Sequence, residues 1–282
     1  MIAVVLGLTT ALAWSISTVS SSRSVKVLDQ YSVVAWAMLI GLVLTLPFAL
    51  GGGVPAALSG MNLLWFALAG LGNMGGLLLV YAALKVGKVG LVAPVAATEG
   101  AVAAVVSSVL GESLAPLVVL GLAVIVVGVV VSSVAPDPAP IEHERPVRAV
   151  LLATCSAVVF GLALYSIGRL SGELPVAWAS LPPRLAGVVV LVIPLAITGR
   201  LRMNRAAAPY VVTTGIMEVV GFTSFAFAAR DSVAIASVLA SQFATIAAVI
   251  AYVVYRERLG RLQILGVALV VGGVTALALL SA

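Results

Sequence analysis

The chain has 282 residues, 62% of them hydrophobic and 9% charged, with a mean hydropathy of +1.25. A soluble domain is roughly 45–50% apolar and about 25% charged. So little polar material cannot cover a water-facing surface, and lipid must be the solvent for much of the chain. The formal net charge of +5 does not imply a nucleic-acid partner, because Lys and Arg stand in small groups at the ends of apolar runs, as membrane anchors do.

A spanning helix needs about 20 mostly apolar residues. Runs of that order lie at 3–22, 32–50, 62–84, 89–110, 114–134, 149–169, 176–198, 210–229, 233–255 and 262–280. The first has no basic leader and exceeds a signal-peptide core, so it reads as a retained span. Turn chemistry separates the runs: Gly51-Gly52-Gly53 after the second, Arg200 to Pro209 before the eighth, Arg256 to Arg261 before the tenth. The longest polar stretch, 136–148 (PDPAPIEHERPVR), is rich in proline and charge and reads as a linker. Cys155 is the single cysteine, so no intramolecular disulfide can form.

A linker near mid-chain invites a search for repeats. A shift of 145 residues superposes the second half on the first without gaps from about Gly70 to Val129: Gly70 on Gly215, Gly76 on Gly221, Lys85 on Arg230, Glu112 on Glu257, Gly121 on Gly266, Gly128 on Gly273. A shift of 146 pairs Trp14 with Phe160 and Arg23 with Arg169, and one of 147 pairs Pro47 with Pro194. The expected fold is an all-α integral membrane protein of ten transmembrane helices, with a first five-helix repeat at 1–135, a linker at 136–148 and a second repeat at 149–282. Five is odd, so the two units enter the membrane from opposite sides. Inverted repeats of this kind build many secondary transporters, with the substrate site near the midplane between the halves. Twelve of the 15 basic residues fall on the side opposite the termini, and only Arg169, Arg184 and Arg230 on the terminal side. The positive-inside rule then puts both termini outside.

Runs four and five (LVAPVAATEGAVAAVVSSVLGESLAPLVVLGLAVIVVGVVV) and runs nine and ten (IASVLASQFATIAAVIAYVVYRERLGRLQILGVALVVGGV) share one pattern. Each is a helix with proline or small residues, a Gly-Glu-Ser-Leu or Arg-Glu-Arg-Leu turn, then a helix carrying Leu-Gly and Gly-Val. The pattern resembles the EamA-type branch of the drug/metabolite transporter superfamily, over the whole chain. The resemblance implies that spans 1, 3, 4, 6, 8 and 9 line a central cavity and that spans 5 and 10 are peripheral. It also implies transport of amino acids, other metabolites or drugs, or exchange of phosphorylated or nucleotide-linked sugars. Second spans in the family often carry an Arg; Arg184 keeps it in span 7, whereas the repeat places Ala37 there in span 2. Many relatives have cytoplasmic termini, which opposes the charge count.

Of the ten acidic residues, eight fall in loops or at helix ends. Glu99 lies about 15 Å into span 4 and Glu218 about 12 Å into span 8 at the usual helical rise, near the middle of a core about 30 Å thick. An intramembrane carboxylate costs at least about 2.5–3.5 kcal/mol to insert and is a functional hypothesis by default. Burial favours its neutral form and a nearby cation its charged form, so such a group can hold a proton or a cationic substrate. The alternative is a protonated Glu that hydrogen-bonds a neighbouring helix. Asn73 is the repeat partner of Glu218, which fits either a polar layer common to both halves or a Glu–Asn structural pair.

Trp14, Tyr81, Tyr165 and Gln242 are further cavity candidates that could stack on or hydrogen-bond a substrate; interface belting or helix packing explains each equally well. Pro94 removes a backbone hydrogen bond in span 4 and marks a bend or gate, unless packing alone explains it. Gly121, Gly128, Gly266 and Gly273 read as close packing of spans 5 and 10. No catalytic or metal-binding residues are expected, and no cofactor: the single histidine, His143, is in the linker and there is no H-E-x-x-H.

The chain therefore reads as a multi-pass protein of the cell (inner or plasma) membrane and not an enzyme. The leading function is proton-coupled export of a small cationic, zwitterionic or amphipathic metabolite or drug. The alternatives are an exchanger of phosphorylated metabolites or nucleotide sugars, and a non-transporting membrane scaffold. The expected partners are a small-molecule substrate, protons and the lipid bilayer, with a homodimer left open and no nucleic acid.

Overall fold

The computed structural model describes residues 2–99, 102, 105–106, 116–134, 144–171, 173–231, 240, 242–256 and 258–280, and among these it is helical with no strand. The first half contains α1 (Ile2–Val27), α2 (Gln30–Gly51), α3 (Met61–Val86), α4 (Val89–Ala96) and α5 (Pro116–Val134). The second contains α6 (Pro146–Ser171), a broken seventh run made of α7 (Val176–Ala179), α8 (Pro182–Gly187), a π-helical turn (Val188–Val192) and α9 (Ile193–Ile197), then α10 (Ala208–Asp231), α11 (Phe243–Tyr255) and α12 (Arg261–Leu280). Helix is thus present in each of the ten predicted runs. Among the described residues, five segments are long and apolar enough to cross a membrane: Gln30–Gly51, Met61–Val86, Pro146–Ile167, Val176–Ile197 and Ala208–Ala228.

Side chains are distributed for lipid. Phe48 and Ile197 are 78% and 81% exposed on the outside, while Arg184, Lys88 and Gln263 are enclosed.

The connections sort to two ends. At one, Asn204 Nδ2 donates to Val27 O (2.9 Å), Trp36 Nε1 to Arg202 O (3.0 Å), Arg145 N to Val86 O (2.8 Å) and Lys88 Nζ to Arg258 O (2.6 Å). The Arg23 guanidinium lies 3.7 Å over the Tyr255 ring and joins the ends of α1 and α11 there. Five chain junctions therefore meet at one basic end. At the other end Trp178 Nε1 donates to Ala49 O and Gly53 O, and Asn62 Nδ2 to Glu173. So α1 ends where α6 begins, and equivalent helices of the two halves run in opposite directions.

Packing is symmetric under exchange of the halves. Helix α1 packs on α10 as α6 packs on α3, α2 on α10 as α8 on α3, and α4 meets α11. Helix α5 packs on α12 through their glycines: a Cβ on Gly128 would sit 2.8 Å from Gly266 O, and one on Gly273 2.6 Å from Ile125 Cγ1.

Two departures from expectation have local causes. Helix α6 begins at Pro146 and not at 149, because proline is well tolerated in the first turn, where its missing N–H has no partner to lose. In the seventh run, Pro194 offers no N–H to Val190 O, and the Ile193 N–H reaches back five residues to Val188 O. That π turn inserts one residue. It accounts for the change of repeat frame: Gly41 corresponds to Gly187 at 146 before the turn, and Pro47 to Pro194 at 147 after it.

Candidate functional site

A cavity of about 740 Å³, counting the space at its mouth, lies where the halves meet. It is lined from α1 (Trp14, Ser17, Thr18, Ser21), α3 (Asn73, Tyr81), α4 and the residues after it (Ala93, Ala96, Glu99), α6 (Phe160, Ala163), α10 (Glu218, Phe222) and α11 (Phe243). These are runs 1, 3, 4, 6, 8 and 9.

Each wall has a sequence-level cause. Glycines let the walls approach. A Cβ on Gly221 would lie 2.4 Å from Trp14 Nε1, and one on Gly76 2.5 Å from Phe160 Cδ1. Hydroxyls then pin the same contacts: Thr10 Oγ1 donates to Gly221 O (3.3 Å) and Ser156 Oγ to Gly76 O (2.8 Å). Trp14 maps onto Phe160, Gly76 onto Gly221 and Thr10 onto Ser156, so one constellation is built twice. Gly161 of α6 seats the other carboxylate segment, since a Cβ there would lie 2.8 Å from Glu99 O. Ser15 Oγ donates to Phe243 O (2.8 Å) and fixes the start of α11 in the same manner.

Within the cavity, Glu218 is 7% exposed and accepts a hydrogen bond from Ser17 Oγ at Oε1 (2.7 Å). Glu99 is partly exposed and within electrostatic range of Glu218. Two carboxylates facing one low-dielectric cavity oppose each other's ionisation, and a proton or a cation in that space offsets their repulsion. The aromatic wall is a cluster: Trp14 meets Phe222 (5.4 Å, 66°) and Phe243 (6.1 Å, 89°) edge-on and stacks on Phe225 (6.0 Å). Trp14 Nε1 and Asn73 Oδ1 are buried without a hydrogen-bond partner. Ordinary packing satisfies such atoms, so two of them beside one cavity leave polar valences that a ligand can take up.

The chain matches the EamA-like transporter family twice, over residues 1–134 and 147–279. It belongs to that family. No curated protein matches this EamA-like chain. A crystal structure described only as that of a protein superposes with a TM-score of 0.67 over 99% of this chain and 96% of its own, at 20% identity, which shows a common fold.

The other predicted positions of this EamA-like transporter fall outside the cavity lining. Tyr165 packs edge-on against Trp65 (5.7 Å), and Gln242 Nε2 donates to Thr275 Oγ1 (3.1 Å) on α12, which turns it toward packing. Pro94 is enclosed within α4. The repeat partner of Arg184 is not Ala37: a Cβ on Gly41 would meet the Arg184 side chain (3.1 Å) and one on Gly187 the Met38 side chain (2.2 Å), so Met38 is the equivalent residue. Nor is Arg184 a charge at a helix end. It is 1% exposed in the bundle interior, its guanidinium carbon 4.7 Å from the centroid of Phe222.

Ser17 in the lining and Arg184 behind Phe222 are not among the cavity candidates that the sequence offers. Both carried a signal. Arg184 lies well inside the run 176–198, where the rule that picked out Glu99 applies equally, and Ser17 belongs to a serine-rich stretch too polar for a helix surrounded by lipid.

Proposed function

We propose that the protein crosses the cell membrane ten times as two inverted five-span units and works as a proton-coupled exporter of a small cationic, zwitterionic or amphipathic metabolite or drug. The cavity lining is the observation that carries this reading. Two carboxylates and an aromatic wall face one space, and no Lys or Arg is among the described lining residues. A carboxylate in low dielectric favours either a proton or a cation, one at a time. Competition between the two for one site is the minimum chemistry of antiport. The aromatic faces add attraction for a cation or for an apolar body.

Exchange of phosphorylated substrates would ask for cations facing the same space. Lys85 lines a separate pocket at the basic end, and Lys88 donates to Arg258 O and lies 3.8 Å from Glu144.

The test is proton flux in proteoliposomes on addition of amines, amino acids, lipophilic cations and sugar phosphates, comparing wild type with Glu99→Gln and Glu218→Gln. Substrate-dependent flux lost in Glu99→Gln supports the reading with Glu99 as the coupling group. Loss only in Glu218→Gln moves that role to Glu218. Brisk substrate-for-substrate exchange with no proton movement for any compound would overturn it.

A further inference from the structure

Arg184 is an anomaly. Its Nε, Nη1 and Nη2 are all buried and none has a hydrogen-bond partner. A guanidinium held this way has given up water for little more than the face of Phe222. Removing a charge from water without pairing it is among the most costly arrangements a protein can hold. Nothing in local packing demands it, since Gly41 leaves room for a side chain of this length whatever its charge.

The internal repeat supplies the comparison. In the second half the pair of positions holds Arg184 and Glu218. In the first half the equivalent positions hold Met38 and Asn73. One half has both charges and the other has neither. Met38 is fully enclosed, so an uncharged side chain fills the equivalent slot. The cation therefore accompanies the carboxylate, not the fold.

We propose that Arg184 is the internal counter-charge of Glu218, a positioning residue that pairs with the carboxylate when neither proton nor cationic substrate occupies it. The structure has the open form of this pair: Glu218 accepts from Ser17, and Arg184 rests on Phe222 within electrostatic range of Glu218 and Tyr81. The groups that face Glu218 from the packed helices are Ser17 of α1, Tyr81 of α3, Glu99 after α4 and Arg184 of α8. Arg184 is the one cation in this set.

Movement of the guanidinium from the Phe222 ring to Glu218 would expel a bound cation and shift an aromatic wall of the cavity in the same step. The adjacent break at 180–181 and the π turn at Val188–Val192 leave α8 as a short segment able to adjust. The part of this inference that concerns cargo release rests on the exporter reading above.

The experiment is a double-mutant cycle in purified, detergent-solubilised full-length protein: wild type, Arg184→Met, Glu218→Gln and the double variant, melted at pH 5 and pH 9. Methionine is chosen because Met38 fills the equivalent site. The pair exists only while Glu218 is ionised, so Arg184→Met should lower Tm by a few degrees at pH 9, less at pH 5, and hardly at all in the Glu218→Gln background. Arg184→Lys should recover part of the loss. In proteoliposomes, Arg184→Met should bind cationic substrate several-fold more tightly and turn over more slowly, a KM and kcat split that a purely structural lesion does not produce. An additive cycle at both pH values overturns the proposal whatever the flux assay gives. A non-additive cycle in a protein that moves no protons with any compound upholds the pair and refutes the exporter reading alone.

Discussion

The indole of Trp14 occupies the space that a side chain at Gly221 would need: a methyl there would lie 2.4 Å from Nε1 and 2.5 Å from Cδ1. The same contact recurs between Phe160 and Gly76. Because the ring is wedged against Phe222 and Phe243, it cannot retreat without disturbing the cavity wall. Gly221→Ala should therefore cost about 1–3 kcal/mol as an overpacking change. Gly76→Ala should cost a similar amount. Thermal melts in detergent measure both, and Trp14→Phe should recover part of the loss in Gly221→Ala but none in Gly76→Ala.

Lys88 carries a different kind of stability. It is fully enclosed at the basic end, where its ammonium donates to Arg258 O and stands 3.8 Å from Glu144. It thereby holds the junctions after α3, before α6 and after α11 together. Lys88→Met leaves a buried carboxylate without that cation, and breaking a buried pair from one side costs about 3–5 kcal/mol. The expected result is a lower Tm than for any single glycine variant. Lys85→Met, at an exposed position on the same helix end, should melt close to wild type.

Much of this was legible in advance because lipid simplifies the code. Apolar runs gave the helices, and glycines in a constant frame gave the duplication. Glu99 and Glu218 stood out since a carboxylate has few reasons to lie at that depth. What was not legible depends on rotation and register. Gln242 is as deep as Glu99 but faces α12, and a single sequence does not state which way a nearly all-apolar helix is turned. The one-residue π turn before Pro194 shifted the repeat frame and sent the partner of Arg184 to Ala37 instead of Met38. Glu112 and Glu257 of the shared turn lie outside the described residues.

That rotation predicts a division among the candidates. Asn73 Oδ1 lines the cavity without a partner, so Asn73→Ala should raise KM by about five- to tenfold, the worth of one net hydrogen bond of about 1 kcal/mol. Gln242→Leu and Tyr165→Phe should leave KM within about twofold, since Thr275 and Trp65, which these side chains meet, lie outside the cavity lining, so that such changes fall on stability and not on binding. Initial rates of substrate uptake into everted vesicles decide the matter. Equal effects at all three positions would mean that the cavity is not where substrate binds.

The basic end makes the last prediction. Arg23, Lys26, Lys85, Arg145, Arg148, Arg202 and Arg258 all lie on the helix ends and connections that meet there, and the opposite end, around Ala49, Gly53, Asn62 and Trp178, offers no comparable cluster among the described residues. Cytoplasmic loops carry the excess of Lys and Arg, so the basic end should face the cytoplasm and the termini the outside. Arg205 and Ser59 are exposed on connections at opposite ends, which makes them suitable reporters. In a Cys155→Ser background, chosen because Cys155 is the one exposed thiol, Ser59→Cys should react with a membrane-impermeant maleimide in intact cells. Arg205→Cys should react only after the membrane is opened. The reverse pattern would mean that the cytoplasmic termini implied by the family hold here too, and that twelve basic residues are tolerated on the outer face.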